Sequence, residues 1–82
     1  MKELQETATM MCSADYKERF RAEYYQLVTR YEKLKAMVEK WDKGELNFTP
    51  TCPRTTYEYQ LRSMADYKGI LEIRAMIEGI EL

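Results

Sequence analysis

The sequence predicts an all-α fold: an antiparallel two-helix hairpin, with helices over about 14–42 and 53–78, oligomerising through the second helix. Three observations predict it. Gly (3) and Pro (2) are scarce among the 82 residues, which favours long helices over a turn-rich β fold. From Phe20 onward the apolar positions are Tyr24, Leu27, Tyr31, Leu34, Val38 and Trp41, an unbroken alternation of four- and three-residue steps that marks a helical seam. Both prolines, Pro50 and Pro53, fall in the one stretch GELNFTPTCP at 44–53, which therefore reads as the connection between two helices.

A chain of this length forms one domain. Residues 1–12 read as a polar lead-in with a frayed helical turn, ahead of a hairpin domain over 13–82. The first helix is expected to start near Ser13–Asp15, where Asp15 followed by Glu18 is an Asp variant of the capping box. It is expected to end at Gly44, with Lys43 in its last turn. In the connection, Leu46 and Phe48 alternate with polar neighbours and are expected to pack down on the end of the hairpin. Pro53 suits the first position of the second helix, and Thr55 with Glu58 offers another capping box. Gly79 is the expected terminator, leaving Ile80, Glu81 and Leu82 as a partly apolar tail.

The second helix carries two stripes. One is Gln60, Met64, Tyr67, Leu71, Arg74 and Glu78; the other is Ile70, Ile73 and Ile77, with Ile80 beyond the glycine. An antiparallel pairing about the connection sets Trp41 near Tyr57, Leu34 near Met64, Tyr31 near Tyr67, Leu27 near Leu71, and Tyr24 near Arg74. Apolar meets apolar at nearly every level, so two stripes read separately agree with each other. One neighbouring helix covers one stripe. Leaving isoleucines in water forfeits about 1.5–3 kcal/mol each, so the second stripe calls for either the N-terminal segment or another copy of the chain; another copy is the favoured cover, and a homo-oligomer is expected. A chain this short is marginal alone for the same reason.

Thirteen basic and fourteen acidic residues give a net charge of −1, and the two signs alternate along the chain. Binding of duplex nucleic acid normally requires a basic excess or a segregated basic face, so no duplex partner is expected. No apolar run approaches the roughly 18–20 residues that span a bilayer, and no signal-peptide pattern opens the chain; the expected location is the cytoplasm. Cys12 and Cys52 form neither a disulfide framework nor a zinc pattern. Histidine is absent, which removes the commonest general base and metal ligand. No carboxylate pair and no activated nucleophile stands out, so a non-enzyme without catalytic residues, metal or cofactor is expected.

The candidate binding residues are aromatic or sit as polar exceptions in apolar stripes. Seven tyrosines supply flat apolar faces with a polar end, which suits interfaces and base stacking. Tyr24, Tyr31 and Tyr67 lie on the expected seam, where bulk alone explains them; Tyr25 and Tyr59 lie off it. Arg74 lies among Ile70, Leu71, Ile73 and Ile77 and must pair or reach solvent. It either pairs with Glu78, or stacks on Tyr24, or grips a phosphate with its guanidinium fork. Gln60, also polar in an apolar stripe, either sets helix register or reads a ligand edge. The candidate set is Arg74, Tyr24, Tyr25, Tyr59, Gln60 and Tyr67.

The stretches DYKERF, RAEYYQL and RYEKL, the loop FTPTCP and the ending LEIRAMIEGIEL resemble, over residues 15–82, a family of small uncharacterised helical-hairpin proteins of tailed phages of gut and Firmicute bacteria, crAss-like phages included. Arg74 and the final IEGIEL carry most of that resemblance. In size and helical-hairpin form the chain also resembles the "sponge" proteins with which phages sequester signalling nucleotides of bacterial defence systems such as CBASS and Thoeris. That likeness is one of architecture, and the chain departs from it in having no phosphate-binding motif. It implies a non-enzymatic anti-defence protein of the host bacterial cytoplasm that holds a cyclic dinucleotide or an ADP-ribose derivative between subunits. The alternatives are a phage inhibitor that binds a host defence protein directly, and a purely structural helical oligomer.

Overall fold

The computed structural model describes residues 4–82. Among them lie three helices and no strand: α1 over Leu4–Met11, α2 over Tyr16–Asp42 and α3 over Arg54–Glu78. The all-α reading holds. The frayed turn expected near the start is instead a helix of 8 residues that packs on α2; residues 1–3 of the expected lead-in lie outside the described residues. Thr7 of α1 is fully buried, and its hydroxyl donates to the Leu4 carbonyl at 2.6 Å. That bond makes a polar residue tolerable on a buried helical face.

α2 is the central element. Its seam residues Phe20, Leu27 and Val38 are buried, and α3 runs antiparallel along this side. Trp41 meets Tyr57 edge-on at 6.0 Å near the connection, while Tyr24 reaches Glu72 and Tyr16 reaches Glu78 at the far end. Ala22 and Thr29 are also buried, and they lie one heptad apart on the side of α2 away from the seam. α1, the other neighbour of α2, accounts for their burial. The core cluster is Phe20, Leu27, Leu71, Ala75 and Ile80, with Tyr24 and Met64 packed against it.

The helix ends follow from local chemistry. Asp15 is the N-cap of α2, accepting from the Lys17 N–H at 3.0 Å. The Glu18 carboxylate does not return to the cap, as a capping box would require. It accepts instead from the Ser13 hydroxyl, whose oxygen takes the Asp15 N–H. At the other end Gly44 adopts φ 70°, the left-handed conformation that favours glycine. α3 opens on Pro53 as N-cap with no side-chain cap, so the Thr55–Glu58 box is not formed. A bidentate ion pair from Arg54 to Asp42, at 2.7 and 2.8 Å, ties the start of α3 to the end of α2. Leu46 is half-buried in the connection and Phe48 is exposed, so only one of the two packs down as expected.

Ile80 corrects the stripe reading. Gly79 takes φ 71° and the Ile80 N–H returns to the Ala75 carbonyl at 2.8 Å. This left-handed closure turns the chain back on itself and swings Ile80 into the core, away from Ile70, Ile73 and Ile77. Those three stay 54%, 57% and 78% exposed, with Met76 at 80% beside them. They occupy the face of α3 opposite Leu71 and Ala75, uncovered in the single chain. No described helix is long and apolar enough to cross a membrane.

Candidate ligand-binding site

The geometry around Arg74 follows from three helix ends converging. The C-terminal end of α3 carries Arg74 and Glu78, the N-terminal end of α2 carries Tyr16, Arg19 and Phe20, and α1 ends at Met11. Together with Glu23, five of these side chains (Met11, Tyr16, Arg19, Phe20 and Arg74) enclose a cleft of about 270 Å³. The Arg74 guanidinium lies 5.0 Å from the centroid of the Phe20 ring, a cation–π distance. Its Nε donates to Glu78 at 3.3 Å and one Nη donates to the Tyr16 hydroxyl at 3.1 Å, while that hydroxyl donates to the other Glu78 oxygen at 2.7 Å. The Glu78 hydrogen bond and partial burial raise the Tyr16 phenol above its ordinary range. Arg19 donates to the Ser13 carbonyl at 2.8 Å.

Arg74 thus forms the expected ion pair with Glu78, but its aromatic neighbour is Phe20 rather than Tyr24. Tyr24 lies further along α2 and donates its hydroxyl to Glu72 at 2.6 Å. Burial first, and then Glu72, push the Tyr24 phenol up to about 12. Glu72 is held below its ordinary value chiefly by that hydrogen bond, with help from Lys68. Trp41 meets Tyr57 as the simple register sets them, and Leu27 and Leu71 share the core cluster, but toward the far end the pairing shifts by about half a turn to one turn. A seam that fixes which faces meet leaves such an axial shift open.

The remaining candidates divide between two places. Tyr25 packs edge-on against Tyr24, with centroids 6.0 Å apart, and both are half-buried. Tyr59 is 66% exposed with the Arg62 guanidinium 5.9 Å from its ring centroid. It lies near the opposite end of α3 from Arg74, about 22 Å away at 1.5 Å per residue. Gln60 is exposed and Tyr67 is 41% exposed. Gln60, Tyr67 and Arg74 are one heptad apart, so they form a single row along one edge of the uncovered isoleucine face. Tyr67 borders that face rather than filling the seam.

Sequence reasoning missed Arg19, Phe20 and Tyr16 as a group. Their only signal is their place at the N-terminal end of α2, and that becomes informative once the C-terminal end of α3 is known to lie beside it. Chemically the cleft offers two guanidiniums and two aromatic rings, with no paired nucleophile and base in its lining. Among the described residues no cluster of three or more candidate metal ligands occurs.

No curated protein matches the chain, and no solved structure does either. The family model of Sequestin matches residues 14–77, which take in all of α2 and nearly all of α3. Over most of its length, then, including Tyr16, Arg19, Phe20 and Arg74 of the cleft, this chain is a member of the Sequestin family.

Proposed function

We propose that the chain is a phage-encoded, non-enzymatic anti-defence protein that sequesters a signalling nucleotide, a cyclic dinucleotide or an ADP-ribose derivative, in the cytoplasm of the host bacterium. The observation that carries the reading is the Arg74 cleft in a member of a family whose name denotes sequestration. Arg74 and Arg19 supply charge for phosphates, and the rings of Phe20 and Tyr16 supply apolar faces. Binding without turnover needs nothing more.

A second copy of the chain completes the site. The uncovered Ile70, Ile73 and Ile77 face meets its counterpart, and the row of Gln60, Tyr67 and Arg74 then lies along the subunit boundary. Tyr24, Tyr25 and Tyr59 are the further rings available for stacking, each worth about 1–3 kcal/mol when a base lies on it. Light scattering at micromolar concentration should give a mass above 9.8 kDa, and a mass equal to it would refute the shared boundary.

Calorimetry of the purified protein against a panel of defence nucleotides tests the reading. Charge-assisted bonds from Arg to phosphate contribute about 1.5–3 kcal/mol each, so Arg74→Ala should weaken a micromolar ligand tenfold or more. Arg74→Lys should recover part of that, because the bidentate fork is lost. Glu78→Gln should strengthen binding, because Glu78 competes with the ligand for Arg74. If no nucleotide binds the wild type, sequestration fails. Direct inhibition of a host defence protein, favoured by the apolar face that Met76 and Ile77 leave open, then takes its place.

A further inference from the structure

At the other end of α2, Lys33, Ala36, Met37 and Lys40 fall on one face, because steps of three and four residues return to the same side of a helix. The chain beyond the helix doubles back over that face. The Gly44 N–H donates to the Trp41 carbonyl at 3.0 Å and the Glu45 N–H to the Lys40 carbonyl at 2.9 Å. Between helix and returning chain lies a cleft of about 380 Å³, with Ala36 and Met37 on the helix side and Leu46, Asn47 and Phe48 on the other. It is larger than the Arg74 cleft. It also falls inside the range of about 300–1,000 Å³ usual for small-molecule sites, whereas the Arg74 cleft falls just below that range.

The electrostatics of the two clefts differ. Arg74 is already engaged by Glu78 and Tyr16. Lys33 and Lys40 line the second cleft, and among the described residues neither forms an ion pair. They stand two turns apart, about 10 Å along the helix, with the apolar side chains of Ala36 and Met37 between them. Phe48 is 55% exposed, an aromatic ring held at the edge of a cleft with no aromatic partner among the described residues.

We infer that this cleft is a second binding site, for a phosphorylated compound that carries one flat ring and is of mononucleotide size. The ring stacks on Phe48 above Ala36 and Met37, the Asn47 amide donates to and accepts from the ring edge, and the two ammonium groups hold the phosphate. Glu45, in the same lining, opposes additional phosphates, so the site favours a monophosphate over a triphosphate. The site lies at the far end of α2 from Arg74 and shares no residue with that cleft, so it stands or falls apart from the proposed sequestration there.

The test uses the full chain and adenosine 5′-monophosphate, with adenosine, inorganic phosphate and adenosine 5′-triphosphate as separate arms, read by calorimetry and by side-chain NMR shifts at Phe48. The monophosphate should bind and shift Phe48, while adenosine and inorganic phosphate each bind at least tenfold more weakly. Lys33→Gln combined with Lys40→Gln should weaken the monophosphate tenfold or more, Phe48→Leu should weaken it several-fold, and Arg74→Ala should leave it unchanged. All these side chains lie at the surface, and a melting curve for each variant verifies that it folds. Absence of monophosphate binding at millimolar concentration overturns the inference. So does undiminished binding by the lysine double variant, loss on Arg74→Ala alone, or inorganic phosphate binding as tightly as the monophosphate.

Discussion

Leu71 is the side chain on which the α2–α3 contact depends most, and Leu71→Ala measures that dependence. It is fully buried, between Phe20 and Leu27 of α2 and Ala75 and Ile80 of the α3 end. Truncating a buried leucine removes its transfer free energy and leaves a cavity, at a cost of about 2–5 kcal/mol. A chain of 82 residues has a total stability of about 4–12 kcal/mol at the usual 0.05–0.15 kcal/mol per residue. The substitution therefore removes a large share of what holds the fold. Leu27→Ala, at 8% exposure in the same cluster, should cost a similar amount. Because the two line one cavity, the double variant should fall short of the sum by about 0.5–3 kcal/mol. Urea titrations followed by helical circular dichroism at matched protein concentration give all three values. A Leu71→Ala cost below about 1 kcal/mol, or a sum additive to within about 0.5 kcal/mol, would refute the packing described.

Three further outcomes are expected. Tyr24→Phe should remove a tyrosinate absorbance step near pH 12. Because folding raises that phenol from 10.0 to about 12, its contribution is fully present below pH 10 and is lost as pH rises from 10 to 12, so the variant should lose stability less steeply over that window. Asp42→Asn should flatten the acid limb of the stability profile. Arg54 holds the Asp42 carboxyl below its ordinary value of 3.8, so the contribution is present above that value and is lost as pH falls below it. Gly79→Ala should destabilise by about 1–2 kcal/mol through the left-handed backbone alone, because an added Cβ there meets nothing within 4 Å. Gly79→Asn should cost less, and equal melting temperatures for the two variants would argue against a conformational cause.

The sequence by itself determined the helical class, the two long helices and the faces they present. A seven-residue apolar repeat and two prolines confined to one segment admit few other readings, because periodicity is a local property of the chain. It also marked Ile70, Ile73 and Ile77 as a surplus apolar face, and they are exposed. What it left open depended on contacts between distant segments. α1 is short and its stripe of Leu4, Ala8 and Met11 spans only two turns around a buried threonine, too little pattern to set it apart from a frayed lead-in before its docking on α2 is seen. The pairing keeps its expected register at Trp41 and Tyr57 but shifts toward the far end, which moved Arg74 from Tyr24 to Phe20 and Tyr16, because a seam fixes which faces meet and not their level along the axis. Ile80 continues the isoleucine spacing in sequence, yet it lies in the core, because one glycine at φ 71° reverses the direction of the chain. The clefts themselves were beyond the reach of the sequence. Arg19 meets Arg74, and Lys33 meets Phe48, only where the folded chain brings separate segments together around a shared space.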